Sequence, residues 1–73
     1  MPSLALRGII DKVQALRDEL ELLQSEEADY AENMPENMQG SEKHERAEEA
    51  ADALSEAVEY LENAVEYIEG AIE

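Results

Sequence analysis

Apolar positions recur every seven residues in the last third of the chain. Ala50-Ala51-Asp52-Ala53-Leu54-Ser55-Glu56 is followed by Ala57-Val58-Glu59-Tyr60-Leu61-Glu62-Asn63 and then by Ala64-Val65-Glu66-Tyr67-Ile68-Glu69-Gly70, and Ala71-Ile72-Glu73 opens a fourth copy. A seven-residue apolar period keeps one side of a helix facing a partner helix. The first half carries a matching stripe: Leu6, Ile9, Val13, Leu16, Leu20, Leu23, Glu27, Tyr30 and Met34. Its spacings alternate three and four, and only Glu27 interrupts it. Ile10 and Ala31 widen that stripe on one side. Between the two patterns, Asn33 to Gly40 breaks the period. Pro35 cannot continue a helix and pushes Met34 out of helical geometry, while Asn33, Asn37 and Gly40 suit turns.

These signals predict an all-α chain with one domain over residues 1–73: a helix over 3–33, a loop over 34–40 and a second helix over 41–72. Ser3, with Pro2 ahead of it, suits the first start, and Ser41 the second, with Glu42 and Glu45 at the positive end of the helix dipole. Each helix of about 30 residues is roughly 45 Å long at 1.5 Å per residue. Matched rods with a short connection form an antiparallel hairpin. Charge agrees: Arg7, Lys12 and Arg17 lie near one terminus, and Glu56, Glu59, Glu62, Glu66, Glu69 and Glu73 near the other. Antiparallel packing sets these stretches side by side, though each exposed pair adds under about 1 kcal/mol.

The second helix is apolar on more of its surface than one neighbour covers. Its seam reads Ala47, Ala50, Leu54, Ala57, Leu61, Ala64, Ile68, Ala71, with Ala51, Val58, Val65 and Ile72 beside it. Two hairpins pairing into a four-helix bundle, a coiled-coil-like homodimer or a higher homo-oligomer, would cover the excess. The residues expected at that oligomer interface are Ile10, Val13, Leu54, Val58, Leu61, Val65, Ile68 and Ile72.

Composition narrows the chemistry. A chain of 73 residues without cysteine has no disulfide or thiolate metal site to stabilise it, which leaves oligomerisation. A net charge of −15 repels nucleic acids and anionic lipid head groups. No apolar run spans a bilayer and no signal peptide is evident, so a cytoplasmic location is expected, with no membrane or direct nucleic-acid partner. Acids crowd between Asp18 and Asp52 against Lys43 and Arg46 alone. Glu36, Glu42, Glu45, Glu48 and Glu49, with Tyr60 and Tyr67, are the residues singled out for a basic protein surface. A solvated exterior accounts for most such runs, and a carboxylate mimic of nucleic-acid phosphates is an alternative.

His44 stands one turn from Glu48, yet no Glu-x-x-His occurs because Ser41 stands three before His44, and no metal or other cofactor is expected. Gly40 to His44 opens a helix beside Lys43 and Arg46, which gives a second alternative, an oligomeric nucleotide binder or sponge. Glu42 and Glu45 oppose an anion there. Glu27 is expected to fix register, paired with Lys43 or Arg46. With no threonine, four serines and a single histidine at a helix start, no nucleophile–base pair is in evidence and an enzyme is not expected.

The loop Asn33-Met34-Pro35-Glu36-Asn37-Met38-Gln39-Gly40-Ser41-Glu42 resembles one in small acidic helical-hairpin proteins of phages and prophages. Those carry an Asn-x-Pro-Glu-Asn-Leu-Gln-x-Ser-Glu turn between an acidic helix and a helix of Ala/Glu/Ile heptads. Met38 stands here for the leucine and keeps an apolar plug. The resemblance implies a phage-encoded accessory protein that acts on a host protein inside an infected or lysogenic bacterium. It carries over no catalytic or ligand residue.

Overall fold

Two helices and one tight turn account for the computed structural model, which describes residues 3–72. Helix α1 runs Ser3–Glu32, a single 3-10 turn spans Glu36–Met38, and α2 runs Glu42–Ile72; no strand occurs among the described residues. α1 is described from Ser3 onward, and Pro2 and Glu73 lie outside the described part.

The connection is closed by its own side chains. Pro35 stops α1, and the Gln39 side chain turns back to donate to the Met34 carbonyl at 2.9 Å and the Ala31 carbonyl at 3.4 Å. Ala31 lies in the last turn of α1, whose carbonyls lack partners further along the helix; its carbonyl also accepts from the Met34 N–H at 3.4 Å. Gly40 takes φ +80, the left-handed conformation that favours glycine. Ser41 then caps α2, its Oγ accepting from the His44 N–H at 3.2 Å. Met34, Ala31 and Ala47 form a small buried cluster with Met38 packed against it.

The helices form an antiparallel hairpin with extents of 57 × 14 × 12 Å. On α2 the seam follows Ala47, Ala51, Leu54, Val58, Leu61, Val65, Ile68 and Ile72, all buried or half-buried. On α1 it follows Leu6, Ile10, Val13, Arg17, Leu20, Gln24, Glu27, Ala31 and Met34. This corrects the stripe read from sequence. Leu6, Val13, Leu20, Glu27 and Met34 hold their place, but Ile9, Leu16, Leu23 and Tyr30 are 46%, 55%, 49% and 47% exposed. Ile10, Arg17, Gln24 and Ala31 replace them at the seam.

The loop end explains the choice. Ala31 and Ala47 are 4% and 5% exposed and meet in one buried cluster with Met34, where small side chains let the helices lie close beside the loop. Turning Tyr30 inward instead would wedge the helices apart where the loop holds them together. Once the last turn of α1 is set in that phase, the heptad carries it along the rod. On α2 the same phase brings Val58, Val65 and Ile72 inward in place of alanines, which buries more carbon.

Candidate docking surface

The eight residues expected at an oligomer interface all lie in this intrachain seam: Ile10 and Val65 buried, Val13, Leu54, Val58, Leu61, Ile68 and Ile72 half-buried. What α1 leaves outside is a row of large apolar residues one heptad apart, Ile9, Leu16, Leu23 and Tyr30. What α2 leaves beside its seam is a row of alanines, Ala50, Ala57, Ala64 and Ala71, the last of them exposed.

Both rows fall on one side of the hairpin, for a reason of handedness. Each row sits three residues beyond its inner seam residue, so it is displaced from the seam in the same rotational sense along its own helix. α2 runs opposite to α1 and also faces the opposite way. The two reversals cancel, and the rows share a face. The residues that line the opposite side agree. Gln14, Arg17, Glu21, Gln24 and Ala28 of α1, with Glu48, Ala51, Asp52, Ser55, Val58 and Glu62 of α2, border the polar groove there, and neither row contributes to it. The hairpin therefore has an apolar face and a polar one. Tyr60 and Tyr67, 68% and 82% exposed, stand along the outer edge of the apolar face. Leu4 and Leu22 are exposed singly outside these rows, as isolated surface leucines often are.

Arg17 is the polar residue that ties the two helices. Its Nη1 donates to Glu62 Oε1 at 3.2 Å across the seam, and its Nη2 lies 3.3 Å from Glu21 Oε2 and 3.1 Å from Asp18 Oδ1. Its Nε is buried without a hydrogen-bond partner, a cost of about 1–3 kcal/mol that the charge-assisted contacts offset. Glu27, expected in this role, is half-buried and joins no ion pair among the described residues. Arg46 pairs instead with Glu42 one turn before it.

Near the loop the polar groove holds a cavity of about 510 Å³ between Gln24, Glu32, His44, Glu48 and Asp52. His44 Nδ1 accepts from the Gly40 N–H at 3.2 Å, with Glu48 Oε1 also 3.2 Å from that nitrogen. Nδ1 can accept from Gly40 or, carrying a proton, donate to Glu48, but it cannot do both at once. Two N–H groups that an anion site at this helix start would use, those of Gly40 and His44, already have partners. Among the described residues, no three of His, Cys, Asp and Glu gather as a metal-ligating group.

The remaining acids singled out from sequence do not converge. Glu36 lies in the loop, Glu42 and Glu49 share one row of α2, Glu45 points outward and Glu48 borders the groove. Each three-residue step turns by about 60°, so they fan around the first turns of α2. No helix among the described residues is long and apolar enough to cross a membrane. The apolar face is the feature sequence reasoning missed. Its signal was present in the match between a large row on one helix and an alanine row on the other. No protein-family model, curated protein or solved structure matches this chain.

Proposed function

We propose that the chain is a non-enzymatic, acidic helical protein-interaction module that self-associates, a phage-encoded accessory protein whose assembled form works on host protein surfaces in the bacterial cytoplasm. One observation carries the interaction reading: Ile9, Leu16, Leu23 and Tyr30 form an unbroken apolar row, each about half exposed. Apolar surface held open at a regular heptad spacing marks a docking surface rather than scattered exposure. The one histidine is occupied in closing the loop, which supports a role without catalysis. The phage origin rests on the loop resemblance alone. A carboxylate mimic finds less support, because the acids fan around α2 instead of tracking one line.

Affinity capture from bacterial lysate tests this reading. The native chain as bait is expected to retain a specific host protein, and a Leu16→Glu/Leu23→Glu bait to lose it. Equal retention by both baits would remove the apolar face from the function.

A further inference from the structure

We infer that the apolar face is covered by a second copy of this chain, related by a two-fold axis parallel to the helices, so that the large row of each copy packs on the alanine row of the other. The inference rests on the reading of this face as an interaction surface and names its occupant.

Area argues for an occupant of this size. The chain exposes 5529 Å², whereas a folded monomer of 8.2 kDa exposes about 4,500 Å². The excess of about 1,000 Å² compares with the roughly 800 Å² each partner contributes to a standard interface. No large side chain among the described residues is fully removed from water in the single hairpin, and a second layer of two helices would complete the core.

Size complementarity selects the arrangement. Arg17 meets Glu62 and Ala31 packs on Ala47, which fixes the level of one helix against the other. At that register Leu16 lies within half a turn of Ala64 and Leu23 within half a turn of Ala57. A two-fold axis along the rods keeps those levels while placing each α1 over the α2 of the other copy. Bulk then meets alanine along the whole face, as knobs meet holes. A two-fold axis across the rods would stack large row on large row and alanine on alanine, leaving one side crowded and the other void.

One polar contact makes the same selection. The axis along the rods brings Lys12, in the row of Glu19 and Glu26 at the edge of the apolar face, to the level of a Tyr67 ring of the other copy, where a cation and an aromatic face attract. The axis across the rods would lay α1 on α1 and take Lys12 away from that ring.

Sedimentation equilibrium of the purified full chain tests the assignment. The expected mass is two copies of 8.2 kDa. Association is expected to tighten severalfold as salt rises, because two chains of charge −15 repel. A basic partner would show the opposite salt dependence. Because the chain has no cysteine, two single-cysteine variants, Leu23→Cys and Ala57→Cys, report the geometry separately. Oxidised together they are expected to give a covalent pair that neither gives alone. Self-linking of Leu23→Cys as fast as the mixture would overturn the axis along the rods. A chain that stays at 8.2 kDa at every concentration and salt would overturn the second copy. If lysate capture still depended on Leu16 and Leu23 in that case, the interaction reading would stand; if it did not, both would fall.

Discussion

Replacing Ala31 with leucine tests the claim that the loop end sets the phase of the whole hairpin. Ala31 is 4% exposed and packs on Ala47, with Met34 in the same cluster. A leucine adds three carbons where neither backbone can withdraw. The Gln39 side chain ties the end of α1 to the loop, and the Ser41 cap ties the loop to α2. Overpacking of this kind costs about 1–3 kcal/mol. A chain of this length has roughly 4–11 kcal/mol to lose at 0.05–0.15 kcal/mol per residue. Each kcal/mol moves the midpoint of a small domain by about 4–8 °C, so Tm should fall by between about 4 and 24 °C. Circular dichroism at 222 nm, at one protein concentration because assembly shifts Tm by mass action, is the assay.

Ala15→Leu is the control. Ala15 is an exposed position of α1, the helix that carries Ala31, away from both the seam and the apolar face, and the same added carbons there should leave Tm nearly unchanged. An Ala31→Leu variant as stable as the native chain would refute the reasoning. The seam could then turn at will, and the exposure of Ile9, Leu16, Leu23 and Tyr30 would need another cause.

Two further substitutions probe the seam and the turn. Glu27→Leu removes a half-buried carboxylate that joins no ion pair and extends the inner row of α1, so urea unfolding should show a gain of about 1–2 kcal/mol; a loss would mean that Glu27 holds a partner. Gly40→Ala places a Cβ in open space but at φ +80, so only the backbone resists it, and a net loss of about 1 kcal/mol is expected in the same assay. A neutral result would show that the turn relaxes away from the left-handed conformation.

The architecture was legible because several independent signals agreed. The proline, the asparagines and Gly40 mark one break, and the heptads on either side of it have nearly equal length, so a hairpin of two long helices follows. The phase of α1 was not legible. Its most apolar stripe runs through Leu16 and Leu23, and reading it as the hairpin seam assumes that a chain satisfies its own fold first. The structure instead turns Arg17 and Gln24 inward and leaves the leucines out. Local packing at Ala31 and Ala47 decides this, and a contact between residues sixteen apart leaves no mark on the periodicity of either helix. Arg17 itself was visible as part of a basic stretch facing an acidic one. Its specific pairing with Glu62 depended on the phase and could not be read without it. The loop roles of Gln39 and His44 were hidden for a different reason, since both act by reaching back to backbone groups whose positions exist only once the turn is formed.

The placement of charge and the placement of the apolar face are one arrangement. Apart from Glu27, the acids of the described residues avoid the seam rows, the large row and the alanine row. They occupy the polar groove, the outer surfaces and, at Glu19 and Glu26, the edge of the apolar face. A solvated coat of this kind keeps the hairpin soluble while its apolar face is open, and it resists indiscriminate sticking because every approach of another polyanion is repulsive. That repulsion is long-ranged at low salt and falls within about 10 Å at 0.1 M, whereas apolar burial acts only at contact. In the proposed pairing, a copy that reaches the face in the right register would therefore meet attraction inside a screened barrier, and one that arrives out of register would meet the barrier alone. The acids act in this account as a filter on assembly. Neutralising exposed ones far from the face, such as Glu45 and Glu49, should then strengthen self-association at low salt and change it little at high salt.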